Sequence, residues 1–287
     1  MVPALVCQRT DMEGWRDMRT IKLRSLSAVV IVMMLLLWGS TTVHATLSIS
    51  PAYVELVLDK GRPSGQFQIT NVGDSEERYR IKAIHFLFLE DGGFREIPPD
   101  DRSLAQWVRF NPKEFVLPPK SRQTVRFTVN TRGKLQTGEY WGAMELESLK
   151  TTHGRGKDAA GRELSIEVIP TILVPIFGKV GTVRYQATLK ETRIVTSEKG
   201  EIVESQIANT GQGRLFIGGT YEIADSSGQS VASGILGRAY VLPGAERKFA
   251  VPLAVPLLAG QYILRVEYSS TGLEAPLFRE TALTRTP

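Results

Sequence analysis

The sequence predicts an all-β protein built as two tandem β-sandwiches behind an amino-terminal export signal. Three observations carry that prediction: short polar/apolar alternations separated by turn signals, landmarks that recur in order in the two halves, and no long helical period after Ala45. At 287 residues, 42% hydrophobic and 23% charged, the composition is globular and the length suits two domains of about 100 to 150 residues.

The export signal comes first in the chain. Arg19, Lys22 and Arg24 precede a nearly uncharged stretch from Leu26 to Trp38, and small and polar residues follow it down to Val43-His44-Ala45. A positive region, an apolar region and small residues at the third and first positions before the cut predict cleavage after Ala45 and a mature start at Thr46. The apolar stretch, 26 to 38, is shorter than the roughly 20 residues a membrane-spanning helix needs. No second apolar span follows, so a periplasmic protein with no stable membrane insertion is expected. The residues before Met18 carry charges of both signs, which makes Met18 a second candidate start.

Cleavage removes Arg9, Arg16, Arg19, Lys22 and Arg24 together with Asp11, Glu13 and Asp17, leaving 30 basic against 27 acidic residues, a net charge of +3. Cations alternate with acids throughout, so nucleic acid is not an expected partner. The only cysteine, Cys7, leaves with the signal, which excludes a disulfide, a cysteine zinc site and a dithiol redox centre. Of the histidines, His85 lies in an apolar run and His153 has no metal-ligand partner at useful spacing. No nucleophile elbow or phosphate loop occurs, and Gly211-Gln212-Gly213-Arg214-Leu215-Phe216 lacks the last glycine of a dinucleotide loop. Asp100-Asp101 and Glu76-Glu77 sit in turn-rich polar text. No catalytic residue, metal ligand or cofactor is expected, and the chain does not read as an enzyme.

The internal repeat has three landmarks. Ile-x-Asn-x-Gly occurs as Ile69, Asn71, Gly73 and as Ile207, Asn209, Gly211; Val-Leu-Pro with a later Arg occurs as Val116, Leu117, Pro118, Arg122 and as Val241, Leu242, Pro243, Arg247. Leu-x-x-Gly-x-Tyr followed by Glu occurs as Leu135, Gly138, Tyr140, Glu145 and as Leu257, Gly260, Tyr262, Glu267. In immunoglobulin-like sandwiches a Tyr opening strand F returns its hydroxyl to upstream backbone, and Tyr140 and Tyr262 sit where such a corner belongs. The simpler reading is that any Gly-x-Tyr can open a strand. Gly142 and Leu264 stand where antibody domains carry Cys, so both sandwiches depend on apolar packing. Strand alternation is clear at Gln66-Phe67-Gln68-Ile69-Thr70, Arg126-Phe127-Thr128-Val129 and Leu264-Arg265-Val266-Glu267-Tyr268, with turns at Asp91-Gly92-Gly93 and Ser226-Ser227-Gly228. The link Gly178-Lys179-Val180-Gly181 divides the chain into 46–177 and 182–287.

The first domain resembles the periplasmic pilus-assembly (fimbrial) chaperones. The likeness rests on Phe110-Asn111-Pro112-x-x-Phe115-Val116-Leu117-Pro118-Pro119-Lys120-Ser121-x-Gln123-Thr124-Val125-Arg126-Phe127, on Ser50-Pro51-Ala52-Tyr53-Val54 and on the Asn71 turn. The resemblance implies a partner, a pilin-like or other secreted envelope subunit, held by strand addition at an exposed edge. It also implies a site: Leu164, Ile166 and Val168 match the donor positions, with the apolar series continuing through Ile172, Val174 and Ile176. The same alternation fits a strand half-buried on its own core. Pro170 and Pro175 each remove a backbone donor. The family's two carboxylate-anchoring cations align with Tyr53 and Leu173, neither of which carries charge. A structural or adhesive immunoglobulin-like envelope module without chaperone activity is the alternative reading.

Overall fold

The computed structural model describes residues 47–59, 61–90, 93–131, 133–150, 152–157, 162–198 and 200–286; the export signal and its cleavage point lie outside them. Every regular element among these is a β-strand. The first part of the chain holds β1 (Leu47–Ser50), β2 (Val54–Val57), β3 (Ser64–Asn71), β4 (Glu77–Phe88), β5 (Phe94–Ile97), β6 (Val108–Asn111), β7 (Glu114–Leu117), β8 (Arg122–Val129), β9 (Gly138–Ser148), β10 (Thr152–Lys157), β11 (Glu163–Val168) and β12 (Thr171–Val180). The second holds β13 (Ala187–Ser197), β14 (Gly200–Asn209), β15 (Leu215–Asp225), β16 (Ser230–Val241), β17 (Glu246–Pro252), β18 (Gly260–Ser270) and β19 (Leu277–Arg285).

Two sheets face each other in each half. In the first, β1-β3-β8-β6 packs against β2-β12-β9-β4-β5, with β7 added on β4, and β10-β11 form a separate ribbon. In the second, β13-β14-β17 packs against β16-β15-β18-β19. No sheet is shared between the halves, which together form one body. Alternation does the sorting: Phe67 and Ile69 on β3 and Val125, Phe127 and Val129 on β8 turn inward to meet Met144, Leu146, Val174 and Ile176 from the opposite sheet. Each such fully buried side chain contributes about 1.5–3 kcal/mol. Val203, Ile207, Ile217, Leu264 and Val266 fill the second core in the same way.

Strand β9 does not alternate, because it is covered on both faces. Tyr140, Met144 and Leu146 enter the first core, while Trp141 and Ala143 join Ile84, Phe86 and Phe177 in a third cluster that receives Leu242 from the second sandwich. A strand buried on both sides reads as a continuous apolar run, which is what Tyr140-Trp141-Gly142-Ala143-Met144 is.

The Asn landmark is a staple used twice. Asn71 Nδ2 donates to the carbonyls of Ser75 (2.7 Å) and Leu117 (3.0 Å), and its Oδ1 accepts from Gly73 N (2.9 Å). Asn209 Nδ2 donates to the carbonyls of Gly213 (2.9 Å) and Val241 (2.8 Å), and its Oδ1 accepts from Gly211 N (3.0 Å). Leu117 and Val241 are therefore the equivalent residues, one position away from the pairing that the Val-Leu-Pro letters suggest. The slip has a packing reason: Leu242 is drawn into the cluster between the sandwiches, whereas Pro118, after Leu117, starts an exposed turn.

Asn71→Ala or Asn209→Ala strands a buried carbonyl at each site and is expected to cost about 1–3 kcal/mol. Urea unfolding of the mature chain measures this, and midpoints equal to wild type would contradict the staple.

Candidate functional site

The first sandwich ends in a long hairpin. Strands β9 and β12 pair from Val180↔Gly138 out to Thr171↔Glu147, Ser148 N donates to Pro170 O (3.0 Å), and the two chains then run on as β10 and β11 from Thr152↔Val168 to Lys157↔Glu163. On its other side β12 has only β2, in parallel, from Ile176↔Val54 to Lys179↔Val57. Among the described residues no strand lies against the outer edge from Glu163 to Pro175.

The register of the ribbon separates its residues into two faces. Leu164 and Ile166 lie opposite Gly156 and Gly154, and Val168 lies opposite Thr152. In the alternate register positions Glu163 lies opposite Lys157 and Glu167 opposite His153. The apolar face is thus contributed by β11 alone, and a Cβ added to Gly156 would meet nothing within 4 Å. Farther along, Ile172 and Val174 pack into the first sandwich's own core, Val174 being 1% exposed. Their backbone edge is open while their side chains face the core.

The positions aligned with the family's anchor cations are occupied as follows. Tyr53 is 42% exposed with its ring edge-on to Phe177 at 6.3 Å, and Leu173 packs against the cluster between the sandwiches. The nearby cleft, of about 320 Å³, is lined by Tyr53, Glu55, Lys179, Tyr185, Arg214 and Tyr240, among others. Arg214 dominates it. Its guanidinium pairs with Glu139 and Glu55, lies 3.7 Å from the centroid of the Phe177 ring, and its backbone N donates to Glu139 Oε2 (2.5 Å). Glu139 is 1% exposed. Burial pushes its carboxyl up, Arg214 and Lys179 pull it down, and burial prevails. Lys179 is also opposed by burial, but the Tyr185 hydroxyl, Glu55 and Glu139 outweigh it and hold its amine above the ordinary value.

Both corner tyrosines reach back four residues. Tyr140 donates its hydroxyl to Gln136 O and accepts from Gln136 N, each at 3.0 Å, and is buried; Tyr262 donates to Leu258 O (3.0 Å) in a more exposed setting. Gly138, two residues before Tyr140, has φ +135°, a conformation that a side chain would disfavour. His85 is buried, its Nε2 3.1 Å from Asp100 Oδ1 and its Nδ1 3.3 Å from Trp141 O, a contact that ties the segment after β5 to the sheet. Among the described residues there is no group of three His, Cys, Asp or Glu able to hold a metal, and no helix long and apolar enough to cross a membrane.

Sequence reasoning missed Glu139, Arg214, Phe177 and Tyr240. A charged residue inside Gly138-Glu139-Tyr140, at the mouth of a strand that is otherwise apolar, is the one signal that pointed there; its counterpart in the second copy is the uncharged Gln261.

A carboxyl held above its ordinary pKa favours folding at low pH and takes stability away as pH rises through its folded value. Removing Arg214 deletes the main attraction holding Glu139 down, so Arg214→Met is expected to cost about 3 kcal/mol or more near neutral pH. The deficit against wild type should shrink as pH falls and Glu139 takes up a proton, which it does above the ordinary carboxylate range. Thermal unfolding across pH measures this, and a pH-independent deficit would contradict the buried pair.

No family profile matches the chain, and no curated sequence does. Solved structures of chaperones are similar to it in fold. The YadV chaperone is 10% identical with a TM-score of 0.44, over 83% of this chain and 100% of that one. The CupB2 chaperone of Pseudomonas aeruginosa is 12% identical with a TM-score of 0.42, over 82% and 100%. A chain of the CsuC–CsuE chaperone-tip adhesion subunit pre-assembly complex, from archaic chaperone-usher Csu pili of Acinetobacter baumannii, is 14% identical with a TM-score of 0.43, over 82% and 98%.

Proposed function

We propose that the protein is a periplasmic chaperone of the pilus-assembly kind that binds a pilin-like or other secreted subunit by lending it strand β11. The observation that carries this reading is the open backbone edge from Glu163 to Pro175 beside an apolar row, Leu164, Ile166 and Val168, on a ribbon outside the sandwich body. An exposed edge of this kind invites pairing, and a subunit lacking one strand of its own sandwich supplies both the missing hydrogen bonds and an apolar groove. Gly154 and Gly156 leave the flank of that row free of side chains, so the walls of a groove can close around it.

The binding is carried by the strand rather than by a charge anchor. Positions 53 and 173 offer no cation, and Arg214 is committed to Glu139 and Glu55. Affinity then comes from backbone pairing and apolar burial, and the role requires no catalysis and no cofactor.

Ile166→Asp places a charge where an apolar groove must accept it, at a desolvation cost of several kcal/mol. With the mature chain as bait in a periplasmic extract, wild type should retain a pilin-type subunit identified by mass spectrometry and the variant should retain none. The isolated variant should keep the wild-type melting temperature. A large loss of stability in the absence of a partner would place Ile166 in the protein's own core and overturn the reading.

A further inference from the structure

We propose that the outer face of the β1-β3-β8-β6 sheet carries a second binding site, a furrow for an extended acidic segment of a protein partner. None of these four strands contains Asp or Glu, in a chain that has 30 of them. The furrow, about 600 Å³, runs across the strands. One wall is the register row Ser64, Thr128, Arg109 and the other is the row Gln66, Arg126, Asn111. Its floor is the strip between them, where Phe127 and Phe110 turn their rings to the core and Gly65 has no side chain. Every side chain on the walls can donate a hydrogen bond, and none is an obligate acceptor.

The arginines are disposed to receive anions. Arg109 and Arg126 are exposed, and the Arg126 side chain has no carboxylate or hydrogen-bond partner among the described residues. Several other surface arginines carry carboxylate partners, as Arg78 with Glu114, Arg193 with Glu204 and Arg265 with Glu280. Arg109 is held at its wall by Nη1 donating to the carbonyls of Gln106 and Val108, both at 3.0 Å. The two arginines stand on neighbouring strands, displaced by two residues, so their backbones are about 8 Å apart. Alternate residues of an extended chain are about 6.7 Å apart on one face, which lets two carboxylates of an acid-x-acid segment meet the two guanidinium groups. No aromatic side chain faces outward here to stack on a sugar ring, which favours a peptide over a glycan. The furrow lies on the sheet opposite the one that contains β12, and this inference does not depend on the strand-lending role.

The test is fluorescence anisotropy at low salt with the mature chain and a short labelled peptide containing Glu-Val-Glu, against its Gln-Val-Gln counterpart. The glutamate peptide should bind and the glutamine peptide should not, and Arg126→Gln or Arg109→Gln should each weaken binding about tenfold with the melting temperature unchanged. Equal binding of the two peptides, or glutamate-peptide binding indifferent to both substitutions, would overturn the proposal. So would phosphatidylglycerol vesicles that bind the chain through these arginines while the glutamate peptide does not.

Discussion

The first sandwich is governed by how β12 divides its backbone between two neighbours. On one side β9 pairs with it along its whole length; on the other β2 covers only Ile176 to Lys179. The limit is set upstream. Strand β1 belongs to the opposite sheet, and Pro51, which has no N–H to extend that ladder, stands where the chain crosses over to become β2. The chain therefore reaches β12 only at its far end, where Leu58 N closes the pairing on Lys179 O (2.8 Å). What remains is a strand anchored by Val174 and Ile176 in the core and open along the edge that leads into β11.

The second sandwich braces that anchored end. Leu242 enters the cluster around Trp141 and Phe177, Arg247 donates to the carbonyls of Leu89 (2.8 Å) and Glu90 (3.2 Å), and Arg214 closes on Glu139. A buried ion pair gives little net stability over an apolar replacement, but losing one partner is costly, so it fixes geometry more than it adds strength. Here it ties the start of β9, and through it β12, to the neighbouring sandwich.

Much of this was legible in the sequence where a residue's environment is set by its near neighbours. The alternation of Phe67 and Ile69 marks a strand with one face in a core, and the repeated Asn71 and Asn209 mark a turn that each strand end needs. Strand β9 was legible only as an apolar run, because what covers its outer face, Leu242, lies about a hundred residues away in sequence. The Arg214 cage was illegible for the same reason: Glu55, Glu139, Phe177 and Arg214 meet only through the sheet topology. The series from Leu164 to Ile176 looks uniform as letters, and the fold divides it, with Ile172, Val174 and Ile176 against the core and the rest on the ribbon. The pair of Arg109 with Arg126 was likewise invisible, since register, and not spacing, sets them side by side across β6 and β8.

The central claim is that the edge of β11 is open in the free protein and filled by a partner strand in the complex. Amide hydrogen exchange across residues 163 to 168, with the chain alone and then bound to the subunit it retains, tests it most directly. The account predicts fast exchange at the outward-facing amides of the free chain and strong protection of the same amides in the complex. Slow exchange there without a partner, or protection confined to other strands on binding, would contradict it.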